Sequence, residues 1–442
     1  MEAIGKMIEK TIKEYAENVY RTVTTAEVTE LSKDKKGYVT VAADRTIFHP
    51  LQGGQSADTG YIEPLDSLRA GGADPAGVRD STETVSAGQP RALRYEVTAV
   101  AERDGVVVHT LSVKDAPALS AGTRIRMTID WDHRFDNMQR HCGEHILSGA
   151  LHRLYGGVNH GFHMGEDCMT IDISLEDDPE YSGRPLTFEM VEAAEYEANK
   201  VIWRDEPVSV TFFPTHDEAL KMPLRKELTI DRDITVVTVG DLSDPSDCVA
   251  CCGTHPSSAG QVGLIKVFRV MYNKGMYRIF FEAGQRAYLA CRDDYDTLMH
   301  IAQDLSAGRQ DAAQKYDAQK AKNSDARERL FNIVGMIKKK ETGELAEALA
   351  SGTPVIRYYD LLKPDEISDI GLSLLGKIPS LLVLITSSEN TVLLFSDTAD
   401  CGMIVKQYAP LNGGKGGGKK DFARAVFPSS AEAKAFAGSL AE

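Results

Sequence analysis

A chain of 442 residues exceeds one ordinary core, and 42% hydrophobic with 26% charged residues is the balance of a folded, water-facing protein. The net charge of −15 excludes a general basic grip on nucleic acid, so a polyanion must meet local basic patches. No apolar run approaches the ~18 residues of a membrane span, and the opening residues lack a signal-peptide core. Seven cysteines, three of them crowded at Cys248, Cys251 and Cys252, favour metal binding in a reducing compartment over a disulfide framework. A cytoplasmic location follows as the expectation.

A short mixed-charge helix opens the chain. Residues 20–62 then hold alternating runs such as Tyr38-Val-Thr-Val-Ala42, read as strands, and end in Phe48-His-Pro-Leu-Gln-Gly-Gly-Gln-Ser-Ala-Asp-Thr-Gly60, read as a tight turn. Residues 63–92, rich in Gly, Ala, Ser, Asp and Pro, look like an inserted, poorly ordered loop. Strand signals resume at Tyr95–Val100, Val106–Thr110 and Arg124–Asp130, and this spacing predicts an all-strand, barrel-like first domain over residues 1–115.

From residue 131 the period changes. Asp132–Tyr155 lacks proline and carries Met138, Ile146, Leu147, Ala150, Leu151 and Leu154 at helical intervals, so His141 and His145 share one helix face. Strands near 169–173, 207–213, 234–239, 263–271 and 277–281, with a helix over 187–204, predict an α+β second domain, residues 116–285. Cys251-Cys-Gly-Thr-His255 belongs on a loop there, because Gly253 and Pro256 oppose a helix.

Residues 286–350 read as a polar helical connector or dimerisation arm, and 351–442 as a small α/β domain. Basic patches fall at Lys338-Lys339-Lys340 and between Gly413 and Arg424. In the second patch the Gly/Lys-rich loop could bring backbone N–H groups and the cations of Lys415, Lys419, Lys420 and Arg424 to a phosphate. It matches neither the Walker pattern nor the dinucleotide fingerprint.

The chemistry centres on two halves of one metal site. His141-Cys-Gly-Glu-His145 and Cys251-Cys-Gly-Thr-His255 each offer two zinc ligands four residues apart, together three imidazoles and a thiolate suited to tetrahedral Zn²⁺. The first half also matches the His-x-x-Glu-His order of inverted zinc peptidases, with Glu144 as base. The Cys-x-x-x-His partner opposes that reading, since such peptidases complete the site with a carboxylate. Cys248-x-x-Cys251 could be half a zinc ribbon, but no second Cys-x-x-Cys exists.

The set formed by Phe48–Gly60, His141-x-x-x-His145-Ile-Leu147, Phe162-His-Met-Gly-Glu166, Thr170-Ile-Asp172 and Cys251–His255 resembles the editing domain of alanyl-tRNA synthetase. The closing Gly-Gly-Lys-Gly-Gly-Gly-Lys-Lys-Asp-Phe-Ala is similar to the Gly-rich loop of that enzyme's C-terminal domain. No aminoacylation region precedes, so the resemblance is to freestanding alanyl-tRNA editing proteins of the long AlaX type. It implies one Zn²⁺ held by His141, His145, Cys251 and His255, with Gln55 near the aminoacyl group. Cys252 stands where the family pattern has glycine, and lysines interrupt the terminal glycine run.

The implied reaction is hydrolysis of the ester joining serine or glycine to tRNA(Ala). Gln55 and Thr254 are candidates to read the serine hydroxyl, and Glu144 to act as a base, although on a helix it points about 100° away from His145. Four protein ligands make a closed site, so one ligand loosens, coordination expands, or zinc only orients the substrate. Lys415, Lys419, Lys420 and Arg424 are expected to contact tRNA, and the C-terminal region to permit a homodimer. The other readings are a zinc peptidase and a non-catalytic, zinc-stabilised tRNA-binding module.

Overall fold

The computed structural model describes residues 10–65, 93–175 and 179–440, so residues 66–92 of the predicted insertion lie outside it. The chain divides into two compact units, Met1–Thr297 and Leu298–Glu442. The architecture is α+β.

The first unit begins with a closed six-stranded antiparallel barrel of Val23–Lys33, Val39–Ala43, Val106–Leu111, Tyr95–Arg103, Gly60–Pro64 and Arg124–Ile129, in that order around the wall. Closure follows from the long first strand, which pairs with Arg124–Ile129 at one end and with Val39–Ala43 at the other. Its register shifts between Val28 and Glu30, a bend that lets one strand serve both neighbours. Alternation puts Val97, Leu111, Ile125 and Met127 inside with Val41, Ile47, Phe48 and Ile62, all fully buried. The barrel ends at Ile129, beyond the 1–115 span predicted for it.

Asp130 then caps the helix Trp131–Tyr155 by accepting from the His133 N–H, and Gly156 ends it in the left-handed conformation at φ 61°. This helix is buried along most of its length from Arg134 to Leu151, so its polar residues are internal groups rather than a solvated face. An antiparallel sheet ordered Ile265–Asn273, Met276–Ala283, Met169–Ser174, Val158–Met164 packs with it and with helix Phe188–Trp203 around one core. A three-stranded sheet, Val208–Thr215, Arg232–Val239 and Asp247–Ala250, delivers the chain to Cys251.

The turn after Phe48 is fastened to the helix by a buried ion pair. Arg134 and Asp58 are both fully buried; the guanidinium donates from Nε to Asp58 Oδ1 at 2.8 Å and from Nη2 to Oδ2. It also donates to the carbonyls of Val19 and Ile47, at 2.9 and 2.6 Å. One arginine thereby ties three pieces of the barrel region to the helix that carries His141 and His145.

The second unit contains the 38-residue helix Ala312–Leu349 and a five-stranded sheet ordered Val355–Tyr359, Leu382–Thr386, Thr391–Phe395, Phe422–Val426, Lys415–Gly418. The first pair is parallel and the rest antiparallel. The Gly/Lys-rich run is therefore an edge strand where a loop was expected. A Cβ on Gly416 would sit 2.1 Å from the Arg424 carbonyl oxygen, and one on Gly418 2.3 Å from that of Phe422. Glycine here permits close approach of two strands. Among the described residues no helix is long and apolar enough to cross a membrane.

Arg134→Ala leaves the Asp58 carboxylate buried without its partner, and a loss of about 3–5 kcal/mol is expected. Urea unfolding followed by tryptophan fluorescence reads this in the first unit, which holds both tryptophans, Trp131 and Trp203. A change of only ~0.5 kcal/mol, as for a surface pair, would show that the pair does not fasten the barrel to the helix.

Candidate metal centre

His141 and His145, one helical turn apart, have ring centroids separated by 5.2 Å. The segment after strand Asp247–Ala250 brings His255 within 4.7 Å of the first ring and 4.6 Å of the second. Cys251 Sγ lies 3.4 Å from both His141 Nε2 and His255 Nε2. One ligand atom from each of the four residues falls within 4.8 Å of every other. A tetrahedral ion with bonds of about 2.0–2.3 Å separates its ligand atoms by roughly 3.5 Å, so this group could hold a metal ion.

Electrostatics agree with the donor set. Burial works to raise the Cys251 thiol, but His141 and His145 outweigh it and hold it well below its ordinary range. His255 is pushed down to about 4, first by burial and then by His145. Burial opposes protonation of His145 too, yet Cys251 and the Asp247 carboxylate push it up to about 10. A lowered thiol and a neutral His255 are the forms in which cysteine and histidine bind a metal, and the thiolate favours a positive charge beside it.

A second layer fixes the rings. Gln55 is fully buried; its Oε1 accepts from His141 Nδ1 at 3.0 Å and from the Thr254 N–H at 2.9 Å. Its amide nitrogen donates to Thr254 Oγ1 at 2.8 Å. Asp247 Oδ2 lies 3.1 Å from His145 Nδ1, while its Oδ1 accepts from Arg225 Nε at 2.5 Å. Burial works to raise the Asp247 carboxyl, but Arg225 and His145 hold it below its ordinary value. Carboxylate and amide partners of this kind orient imidazole ligands. Asp247 and Arg225 escaped the sequence analysis; the only signal was an acid four residues ahead of Cys251.

Gly253 shows why the Cys-Cys-Gly-Thr-His segment tolerates no side chain at its centre. A Cβ there would lie 2.2 Å from the His141 ring and 2.8 Å from Gln55 Oε1. Of the adjacent cysteines, Cys251 faces the imidazoles and accepts from the Gly253 N–H at 3.4 Å. Cys252 is exposed and sits against Gly53. Phe162 stacks on His141 with ring centroids 5.5 Å apart and planes 20° from parallel.

A pocket of about 570 Å³ opens beside the cluster, lined by His141, His145, Cys251, Glu144, Asn159, Phe162, Arg225, Lys226 and the Gln52-Gly-Gly54 turn. Gln55 and Thr254 stand behind this wall, engaged with each other and with His141. Glu144 is on it, despite the angle expected from helix geometry. Ser148 Oγ and Asn159 Nδ2 each donate to Glu144 Oε1 at 2.7 Å, drawing the carboxylate to the pocket side, and Oε2 lies 3.9 Å from His145 Nε2. In the second unit Lys415, Lys419 and Lys420 are exposed, whereas Arg424 is within 3.4 Å of Glu389 and 3.8 Å of Asp365.

Residues 234–280, which include Cys251 and His255, match the family described as the threonyl and alanyl tRNA synthetase second additional domain. Over that stretch the chain is similar to proteins carrying this domain. Among these, the chain resembles the alanyl-tRNA editing proteins of the AlaX type. It is 31% identical over 276 residues to alanyl-tRNA editing protein AlaX-L of Pyrococcus horikoshii, covering 62% of this chain and 58% of the relative. It is 27% identical over 420 residues to the alanine–tRNA ligase of Caldivirga maquilingensis, 93% of this chain and 42% of the relative. The alanine–tRNA ligase of Streptococcus mutans is 28% identical over 436 residues, 92% of this chain and 44% of the relative. The chain spans about half the length of these curated relatives.

Two substitutions separate the vicinal sulfurs. Cys251→Ser is expected to abolish stoichiometric zinc and Cys252→Ser to retain it, as read by metal analysis of purified protein. Asp247→Asn should weaken zinc binding by about 10- to 100-fold in chelator competition. Equal retention by both cysteine variants would move the metal away from Cys251.

Proposed function

We propose that the chain is an aminoacyl-tRNA deacylase that removes serine, and also glycine, from mischarged tRNA(Ala). The observation that carries this reading is the four-donor cluster opening onto a pocket in a chain related to alanyl-tRNA editing proteins. We assign His141, His145, Cys251 and His255 as ligands of one Zn²⁺. Zinc bound there supplies Lewis acidity toward the ester carbonyl.

The chain's own residues do the positioning. Gln55 and Asp247 hold His141 and His145 in fixed orientations, so Gln55 and Thr254 act on the substrate through His141 and its loop. Phe162 and the Gln52-Gly-Gly54 turn narrow the pocket around a small aminoacyl group. A buried polar partner for the serine hydroxyl is left unpaired by alanine, and sites of that kind reject the analogue by ~10⁴ or more. The working location is the cytoplasm.

In the second unit, exposed Lys415, Lys419 and Lys420 form a cationic edge for the RNA backbone, while the acids beside Arg424 occupy its charge. The stretch 286–350 serves as a connector, and exposed Leu330, Phe331, Ile333 and Met336 support its use between two copies. A zinc peptidase would need no RNA; the similarity to an alanyl-tRNA editing protein over 62% of this chain, and to alanine–tRNA ligases over more of it, favours the deacylase.

Deacylation of Ser-tRNA(Ala) beside Ala-tRNA(Ala), with zinc content assayed, tests the reading. Rapid zinc-dependent loss of serine with alanine spared is expected, and His141→Ala should lose activity while remaining folded. Equal rates on both esters would sink editing and leave a general esterase. Replacing Lys415, Lys419 and Lys420 with alanine should weaken tRNA binding and lower its salt slope by about 1 for each phosphate that is no longer neutralised. An unchanged titration would take this edge out of the RNA interface.

A further inference from the structure

We infer that Glu144 is the group that receives the substrate's α-ammonium, an assignment that rests on the deacylase reading. The pocket wall carries two acids, and they differ in kind. Asp233 is exposed, while Glu144 is 6% exposed beside the metal centre. Two neutral donors, Ser148 and Asn159, hold Glu144 Oε1. Among the described residues no lysine or arginine lies within ion-pair distance of Glu144, and its Oε2 lies 3.9 Å from His145 Nε2. A carboxylate on a pocket wall, held at one oxygen by neutral donors, favours a cationic ligand at the other.

The remaining charges on the wall would repel an ammonium. Arg225 is committed to Asp247, and Lys226 donates to the Asn159 carbonyl at 3.2 Å. In an α-amino ester the nitrogen lies roughly 3 Å from the carbonyl oxygen. An ester whose carbonyl faces His145 therefore brings its ammonium into the range of a carboxylate oxygen 3.9 Å from that ring. Asn159 and Ser148 fix the carboxylate in advance, so the contact orients the substrate without first ordering a mobile side chain.

Two esters on one RNA test the assignment: Ser-tRNA(Ala) and its 2,3-dihydroxypropanoyl counterpart, in which a hydroxyl replaces the ammonium. The wild-type chain should prefer the seryl ester in kcat/KM by about 10- to 100-fold, the range for a hydrogen bond to a charged group. Glu144→Gln, which keeps an Oε1 acceptor for Ser148 and Asn159, should erase that preference by slowing the seryl ester alone. Glu144→Asp should restore part of it.

Calorimetry supplies a readout independent of turnover. The non-hydrolysable amide of serine with 3′-amino-3′-deoxyadenosine should bind Glu144→Gln about 10- to 100-fold more weakly than wild type. Its analogue without the amine should bind both equally. Equal slowing of both esters by Glu144→Gln would overturn the assignment in favour of a role in the hydrolytic step. Loss of zinc from the variant would overturn it in favour of a metal ligand. A wild-type protein that hydrolyses neither ester and binds neither amide would instead remove the deacylase reading, and this assignment with it.

Discussion

The geometry of the centre depends on the buried pair between Arg134 and Asp58. The His/Cys cluster joins parts of the chain about a hundred residues apart, and the amide that orients His141 comes from a third, the turn of the barrel. Helix and barrel must therefore keep a common frame to within tenths of an ångström. Side-chain packing alone rarely sets a turn so closely. A guanidinium with no exposure, donating to one carboxylate and two barrel-region carbonyls, does so through directional bonds in a low-dielectric interior. The gain is one of position rather than stability, since desolvating both charges offsets most of their attraction.

From that frame the site is built outward by exclusion of alternatives. Gly253 leaves room for the His141 ring, Phe162 covers one face of it, and Gln55 fixes its Nδ1. Asp247 Oδ2 stands 3.1 Å from His145 Nδ1 as an ion-pair partner, while Arg225 balances its charge. Each of these two rings is constrained by groups that are not themselves members of the four-donor cluster. This explains why the Phe48–Gly60 turn contains both an amide and an acid: Gln55 serves the ligand, and Asp58 serves the helix that carries it.

Features governed by local periodicity were legible in the sequence. Alternation marked the barrel strands, and the spacing of four placed His141 and His145 on one helix face. What stayed hidden was set by contacts distant in sequence. Asp247 gains its meaning only when its strand lies beside the helix, and Glu144 reaches the pocket because Ser148 and Asn159 draw it there. The Gly/Lys-rich run carries no alternating side chains to betray a strand; its pairing is imposed by Phe422–Val426. The barrel outran its predicted limit for a similar reason, because Arg124–Ile129 closes the wall by pairing with the first strand and with Gly60–Pro64.

Charge balance links the metal reading to Glu144. A divalent cation among three neutral imidazoles and one thiolate leaves one surplus positive charge in a buried place. Asp247 cannot offset it, since Arg225 already neutralises that carboxylate. Glu144 is the remaining buried acid on the pocket wall, and it holds only neutral donors. The same negative charge that tolerates the surplus also favours an arriving ammonium over a neutral hydroxyl. Glu144 stands outside the four-donor group, so its replacement by an isosteric amide removes this charge without removing one of the four donors.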